Sequence, residues 1–156
     1  MKQDRFLTGI LIGIGVLIVV ALALFFLRRE PRAYIADTTP DGVVHNYVLA
    51  LLNKDYQKAY DYLADLDGKP SYDEFRRAVF NGAISVQDAG IEVGSADVNG
   101  DEATVKLTMY YSSNDPFSGG YQSSDVALLV KQKGAWKIRS MPYSMWDYSW
   151  YSTVTP

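Results

Sequence analysis

The sequence contains few of the side chains that acid–base or nucleophilic catalysis requires. Its only histidine is His45, and it has no cysteine. No Ser–His–Asp order, Gly-rich phosphate loop or metal-ligand spacing occurs. His45 and its neighbour Asn46 stand beside an apolar helical stripe, which is typical of a boundary or surface position; a catalytic His45 is the alternative. We therefore expect no catalytic residue, no cofactor and no metal site.

The residues best suited to binding are the aromatic ones near the C-terminus. From Tyr143 to Tyr151 the sequence reads YSMWDYSWY, in which Trp146, Tyr148 and Trp150 alternate with polar residues as along an extended strand. Aromatic side chains with polar tips suit interfaces, pocket mouths and membrane surfaces. We take these five aromatics as candidate partner or ligand contacts, and we expect Trp146 or Trp150 to stay exposed until a partner or lipid covers it. The alternative is that the segment completes the domain's own core.

A second candidate surface is the loop Ser112–Gly120, which reads SSNDPFSGG. Phe117 would be exposed at its tip, and Tyr121 follows directly. Loops carry function more often than the scaffold does, so Phe117 and Tyr121 join the candidate contacts. An ordinary mobile hairpin connection is the alternative.

Two consecutive amphipathic helices are predicted over Thr39–Leu63, TPDGVVHNYVLALLNKDYQKAYDYL. Thr39 caps the first helix, Asn53 ends it in a left-handed conformation, and Asp55 caps the second. A third helix begins at Ser71, because Ser71-x-x-Glu74 is a capping box.

From Ile84 the apolar period changes to two, which predicts antiparallel strands. The strands run roughly over residues 84–97, 101–112, 121–131 and 135–143. They form a meander of at least four strands.

The apolar alternation also predicts the first hairpin register, because a slip of one residue turns a strand over. A three-residue loop over residues 98–100 pairs Val93 with Val105, whereas a two-residue turn at Asn99–Gly100 would mix the faces. The longer loop requires a left-handed Gly100.

In the second hairpin a three-residue loop over residues 132–134 pairs Val130 with Trp136 and Leu128 with Ile138. None of the strand positions expected to point inward is a carboxylate or a histidine, which argues against acid–base catalysis. These positions are 103, 105, 107, 109, 126, 128, 130, 136 and 138.

The N-terminal part contains an uncharged apolar run, Phe6–Leu27. Its 22 residues would form a helix of about 33 Å, against about 30 Å for a bilayer core. This predicts an uncleaved single-pass transmembrane anchor that contacts the lipid bilayer through residues 6–27. Gly9 and Gly13 form a G-x-x-x-G motif that would pack helices in the membrane, although glycine is common in such spans anyway.

The charge distribution excludes one class of partner. The chain carries −3 overall and the first 32 residues carry +3, which leaves residues 33–156 at −6. Nucleic-acid binding rests on phosphate neutralisation, so no nucleic-acid partner is expected. The count of Lys and Arg beside the apolar run slightly favours a cytoplasmic domain, whereas the short basic N-terminal tail is that of a signal anchor.

Three helices followed by an antiparallel meander resemble the nuclear transport factor 2-like (NTF2-like) fold over about residues 38–143. The similarity lies in the opening helix pair TPDGVVHNYVLALLNKDYQKAYDYL and the closing strand pair VALLVKQKGAWKI. The resemblance implies a sheet curled into a cone around the helices, with a pocket at its wide end. Membrane-anchored relatives are mostly extracytoplasmic and of unknown function, while others are isomerases, dehydratases or hydrolases. On this basis we expect the C-terminal domain outside the cytoplasm.

The expected fold class is α+β, with an N-terminal transmembrane helix followed by a cone-like domain of three helices on a curved antiparallel sheet of at least four strands. Residues 1–29 are the anchor, 30–38 a linker, 39–143 the domain and 144–156 an aromatic tail. The expected function is a non-catalytic membrane-anchored binding or assembly module, an accessory protein of a larger membrane or envelope complex. Its partner would be another membrane or envelope protein, or a second copy in a homodimer. A small-ligand binder using the cone pocket is the alternative, and an isomerase- or hydrolase-type enzyme is a third reading.

Overall fold

The computed structural model of the chain describes residues 5–27, 33–86, 89–112 and 119–151. The chain divides into two compact units, Met1–Ala33 and Tyr34–Pro156. Within the described residues, the first unit contributes one long helix, and the second contains the other helices and the strands.

The first unit contains helix α1, Arg5–Leu27. Within the described part of the chain, no helix reaches the length and apolarity needed to cross a membrane. The predicted transmembrane anchor over residues 6–27 is therefore wrong, and so is the single-pass, extracytoplasmic localisation that depended on it.

The glycine motif in α1 has no close neighbour among the described residues. Nothing lies within 4 Å of the position that a Cβ would occupy at Gly9 or Gly13. The packing of these glycines against another helix was predicted inside a membrane, so that prediction depended on the anchor as well.

The second unit begins with three helices: α2 (Pro40–Leu52), α3 (Tyr56–Asp61) and α4 (Tyr72–Phe80). Their starts are as predicted, because Thr39 and Asp55 cap α2 and α3, and Ser71 caps α4 in a reciprocal capping box. Asn53 does not end α2 in a left-handed conformation, since its φ is −81°.

Four antiparallel strands follow in the order β1–β2–β3–β4, which confirms the predicted meander. They are β1 (Gly90–Asn99), β2 (Glu102–Tyr111), β3 (Tyr121–Gln132) and β4 (Ala135–Ser140). The free edge of β4 is covered by the segment after α3, where the Ile138 N–H donates to the Tyr62 carbonyl over 2.8 Å. The face that packs against α2 is called the inner face below, and the opposite face the outer face.

The first hairpin turns through two residues rather than three. Asn99 pairs with Glu102 across the turn, so the predicted three-residue loop is wrong. The left-handed conformation predicted for Gly100 is confirmed, with φ of +62°.

An irregularity within β1 keeps its apolar face on the correct side. Ala96 pairs with Val105 near the turn, but further along Val93 pairs with Leu107 rather than with Val105 as predicted. The register shifts between Val93 and Ala96. Because a bulge adds one residue to one strand, it reverses the mixing of faces that a two-residue turn would otherwise cause.

The second hairpin also has a two-residue turn, Lys133–Gly134, with φ of +52° and +84°. Two positive φ values are typical of a type I′ turn, whose twist matches that of the strands it joins. Gln132 pairs with Ala135, so the predicted loop over residues 132–134 is wrong.

This register turns β3 over relative to the prediction. Ile138 pairs with Leu129, not Leu128, and Trp136 pairs with Lys131, not Val130. Leu129 is consequently 1% exposed, whereas Leu128 is 40% exposed. The residues predicted inward at positions 126, 128 and 130 therefore lie on the outer face.

The core of the second unit lies between the inner face, the helices and the C-terminal segment. Its largest fully buried side chains come from all three of these parts: Tyr47, Leu63, Phe75, Leu107, Leu129, Ile138, Met141 and Met145.

Candidate functional site

The C-terminal segment after β4 fills the space beside the helices with its own side chains. A short 3₁₀ helix, Tyr143–Met145, follows β4, and the chain then turns again. Trp146 is 3% exposed and Trp150 is 8% exposed. The expectation that one of these tryptophans stays exposed is therefore wrong. It assumed an extended chain, and the two turns change which side chains point inward.

Aromatic contacts hold the two tryptophans in place. Their rings meet edge to face with centroids 5.0 Å apart, and the Trp150 ring lies 5.6 Å from that of Phe75 on α4. Pairs of this kind contribute about 0.5–1.5 kcal/mol beyond the burial of their area. The segment is thus part of the core rather than a separate tail.

Tyr47 ties α2 to the same segment. Its hydroxyl is fully buried and donates a hydrogen bond to the Met145 carbonyl over 3.0 Å. Burial is the largest cause that raises the pKa of Tyr47 above its ordinary value. A hydroxyl that holds its proton and is already bonded to a carbonyl is a structural donor, not a general base.

Tyr151 fixes the far end of the segment. Its hydroxyl donates to the Ala64 carbonyl over 2.6 Å, and its N–H donates to the Gly68 carbonyl over 3.0 Å. Burial, followed by the proximity of Tyr60 and Asp65, raises the pKa of Tyr151. This candidate contact is therefore half-buried and serves to close the domain.

Asn46 was expected at the edge of the apolar stripe of α2. Among the described residues other than the tyrosines, it is the one polar side chain that is buried. Its amide accepts from the Ile35 N–H over 2.9 Å and donates to the Ile35 carbonyl over 2.7 Å. Both bonds go to the backbone, so Asn46 fastens the chain before α2 to that helix. The neighbouring His45 is half-buried.

The buried strand positions of the inner face carry no acid or base among the described residues; Asp125, which pairs with Leu107 and so lies on the same face, is exposed. The buried strand side chains of this face are all apolar apart from the indole of Trp136: Ala103, Val105, Leu107, Met109, Ala127, Leu129, Trp136 and Ile138. Proton transfer needs a titratable group within hydrogen-bond reach of the substrate. The residue types at these buried positions do not provide one.

Two aromatic residues of the same C-terminal segment point outward. Tyr143 is 80% exposed and Tyr148 is 57% exposed. Their rings stack on each other with centroids 6.4 Å apart and planes 20° apart. A pair of tyrosines already ordered against each other loses little side-chain freedom when a partner covers it.

Tyr121 is exposed at the far end of the sheet, where β3 begins. Its ring stacks on that of Tyr111 at the end of β2, with centroids 4.7 Å apart. Phe117, the other candidate of this region, lies outside the described residues.

A groove of about 420 Å³ runs beside the C-terminal segment. The edge of Trp150 contributes to its wall, Asp147 and Ser149 line one side, and Glu74 and Arg77 of α4 line another. Sequence reasoning missed this groove, because nothing in the spacing of α4 indicates that the C-terminal segment will pack beside it.

A second groove of about 570 Å³ lies between the segment after α3 and the β3–β4 turn. Lys133 and Lys137 line it, together with Asp61 and Asp65. Lys137 donates to the Asp61 carbonyl over 2.6 Å. With Lys69 included, three lysines and two aspartates line this groove, so its charge is mixed with a small basic excess.

No family model matches the sequence, and no curated protein sequence matches it either. Solved structures do resemble it. A SEC-C motif-containing protein of Rhodopseudomonas palustris is 12% identical with a TM-score of 0.49, and the match covers 72% of this chain and 83% of that one. A provisionally named NTF2-like transpeptidase of Campylobacter jejuni is 17% identical with a TM-score of 0.43, over 64% of this chain and 96% of that one.

A protein of unknown function with a cystatin-like fold, from Nostoc punctiforme, is 15% identical with a TM-score of 0.45, over 62% of this chain and 80% of that one. At these identities and TM-scores, the resemblance carries no argument about activity, ligand or partner.

Proposed function

We propose that residues 34–151 form a non-catalytic binding module that contacts a protein partner through the outward pair Tyr143 and Tyr148. The observation that carries this proposal is the division within one segment. Trp146 and Trp150 are buried, while Tyr143 and Tyr148 stay exposed and stacked. The two tryptophans hold the segment in the core, and the two tyrosines lie on the surface, where a partner can contact them.

The chemistry of the pair favours a protein as the partner. Tyrosine is among the residues that contribute most to binding energy at protein interfaces, because its ring gives area and its hydroxyl a hydrogen bond. The neighbouring groove adds charged groups of both signs, Arg77 from α4 and Asp147 from the segment itself. A partner segment with an aromatic or apolar side chain and a charged flank fits this combination.

Two observations support this proposal over an enzyme or a small-ligand binder. The space between helices and sheet is occupied by the domain's own Trp146, Trp150 and Met145. The buried strand positions of the inner face carry no carboxylate or imidazole among the described residues. We also propose that the unit is NTF2-like, on the basis of its element order of three helices and a four-stranded meander.

The proposal is tested by site-specific photo-crosslinking in the native cells. A photoreactive amino acid at position 143 of the full-length chain is expected to give one discrete adduct with a single protein, identified by mass spectrometry. Tyr148→Ala should abolish that adduct. The matched control places the same group at Val98, which is 50% exposed at the end of β1.

Identical adducts from positions 143 and 98 would contradict the proposal. So would an adduct at 143 that persists unchanged in Tyr148→Ala, because the two rings are proposed to act as one surface.

A further inference from the structure

The exposed side of α4 carries an arginine placed between two aromatic rings. Tyr72, Arg76 and Phe80 are spaced four residues apart, so their side chains follow one another along one side of the helix. The central carbon of the Arg76 guanidinium lies 5.7 Å from the centroid of the Tyr72 ring and 5.5 Å from that of the Phe80 ring. Both distances are within the range of about 6 Å in which a ring attracts a cation. Two such contacts restrict the guanidinium to one place on the helix surface.

Helix α3 holds the two rings in turn. Tyr60 meets Tyr72 edge to face with centroids 5.5 Å apart, and Tyr56 meets Phe80 in the same way at 5.6 Å. Despite these contacts Phe80 is 66% exposed, and Arg76 is exposed as well. Side chains that are already ordered lose less freedom when a partner covers them. We call Tyr72, Arg76 and Phe80 the α4 patch.

The guanidinium of the α4 patch has no carboxylate partner within the part of the chain that the structure describes. The ion pair that forms there joins Arg139 to Glu102 on the sheet. Asp73 and Arg77 line a groove of about 380 Å³ together with Arg76, but the contact between them runs from Nε of Arg77 to the backbone carbonyl of Asp73, over 3.3 Å. The side-chain N–H groups of Arg76 are therefore available to an acceptor from outside this unit.

The other acid of this helix, Glu74, is occupied by the helix cap. Its carboxylate accepts two hydrogen bonds of 2.8 Å from Ser71, one from the backbone N–H and one from the hydroxyl. These hydrogen bonds, followed by the nearby charge of Arg77, lower the pKa of Glu74. Glu74 thus stays ionised at its cap and faces Arg77 rather than Arg76.

The charge of the groove differs in sign from that of the unit around it. The groove is lined by two arginines, one aspartate and Phe80, whereas residues 33–156 carry −6. Much of the surface of the unit therefore repels an acidic ligand, while this side of α4 attracts one. A guanidinium has five N–H donors in a planar arrangement that matches the two oxygens of a carboxylate. The exposed ring of Phe80 offers an apolar contact beside it.

We propose that the α4 patch docks an acidic segment of a protein partner, with a carboxylate of that segment on Arg76 and an apolar side chain on Phe80. The patch is separate from the Tyr143–Tyr148 pair, so this inference does not rest on the proposed function.

The test titrates the purified full-length chain against a fluorescent probe peptide that has two glutamates on each side of a leucine, and follows its anisotropy. The matched probe has glutamines in place of the glutamates. We expect the acidic probe to bind about tenfold more tightly than the amide probe, because hydrogen bonds between charged groups are the stronger ones.

Variants locate the binding on the chain. Arg76→Gln should weaken the acidic probe about tenfold, and Arg76→Lys should weaken it about fivefold, because lysine keeps the charge but lacks the planar arrangement of donors. Arg139→Gln makes the same change of type and charge on β4 and should leave the Kd unchanged. Phe80→Ala should weaken both probes by the same factor, because it removes the apolar contact alone.

Four outcomes would overturn the proposal. Equal binding of the two probes, or equal losses in Arg76→Gln and Arg139→Gln, would show that the attraction is not specific to the patch. A probe with phosphoserine in place of glutamate that binds more than about tenfold more tightly than the acidic probe would assign Arg76 to a phosphate group. A dimer of the purified chain that Arg76→Gln dissociates, measured by light scattering, would assign the patch to a second copy.

Discussion

The inner and outer faces of the sheet are built from neighbouring residues of the same strands but have different surroundings. Leu129 on the inner face is buried beneath the helices and the C-terminal segment, whereas the adjacent Leu128 on the outer face is 40% exposed. The inner face is closed by Trp146 and Trp150 of the same chain, while no described element of the second unit closes the outer face. This domain therefore fills its interior with its own side chains, whereas apolar side chains of β3 on the outer face stay partly exposed.

The largest effect is expected where the C-terminal segment meets the helices. Trp150→Ala removes a buried ring that contacts Phe75 and Trp146, and it should lower the free energy of unfolding by about 3–5 kcal/mol. Urea denaturation followed by circular dichroism measures this change. Tyr148→Ala in the same segment is the control and should cost less, about 0.5–1.5 kcal/mol, because it removes an exposed ring that stacks on Tyr143. Equal losses in both variants would contradict the division of the segment into an anchored and a presented set.

The two adjacent leucines of β3 test the difference between the faces directly. Leu129→Ala should cost about 2–5 kcal/mol of unfolding free energy, because it leaves a cavity in the core. Leu128→Ala should cost less than about 1 kcal/mol, because much of its side chain is already in water. The same urea titration measures both. If Leu128→Ala proved the more costly, β3 would have the register predicted from the sequence rather than the one observed.

A smaller effect with a pH signature is expected at Tyr47. Tyr47→Phe removes the hydrogen bond to the Met145 carbonyl and should cost about 1 kcal/mol near neutral pH. The pKa of Tyr47 is raised in the folded state from an ordinary 10.0. Its contribution to stability is therefore complete below about pH 10 and is lost as the pH rises above that value, because the unfolded chain releases the proton first.

Unfolding free energies measured between about pH 9 and pH 11 should consequently fall less steeply in Tyr47→Phe than in the parent chain. Tyr143→Phe, which changes an exposed ring, should reproduce the parent curve. A parent curve no steeper than that of Tyr47→Phe across this range would contradict the burial of the Tyr47 hydroxyl.

The smallest effect is expected at the turn that sets the face of β1 against β2. Gly100 has φ of +62° and open space where a Cβ would lie, so Gly100→Ala acts through the backbone alone. It should cost about 0.5–1 kcal/mol. Gly119→Ala, where the space is also open and the backbone is not left-handed, is the matched control and should cost nothing measurable by the same titration. Equal costs at both positions would contradict the left-handed conformation of Gly100 in this turn.

Much of the second unit could be predicted from its sequence. The helix starts followed from side chains that satisfy free N–H groups locally, as Ser71 and Glu74 do for each other. The meander followed from the period-two pattern. Such features depend on residues close in sequence, which is why they were predicted correctly.

The register and the site could not be predicted in the same way. In β3 the run Val126–Val130 is apolar on both faces, so alternation cannot say which side is buried, and a one-residue slip costs the pattern nothing. In β1 a bulge corrected the parity without any marker in the apolar pattern. The burial of Trp150 depends on its contact with Phe75, which lies on a helix far earlier in the chain. The sequence of an aromatic segment also looks the same whether the segment packs on its own domain or on another protein.

Acrylamide quenching of tryptophan fluorescence tests most directly, in the unmodified chain, whether the domain's own tryptophans close its interior. The three tryptophans, Trp136, Trp146 and Trp150, are each 8% exposed or less. We expect a single class of poorly quenched indoles with a blue-shifted emission, converted to fully quenched indoles only on unfolding in urea. A readily quenched component in the folded chain that disappears in Trp146→Phe or Trp150→Phe would show instead that the C-terminal segment is exposed and that the interior is not closed by it.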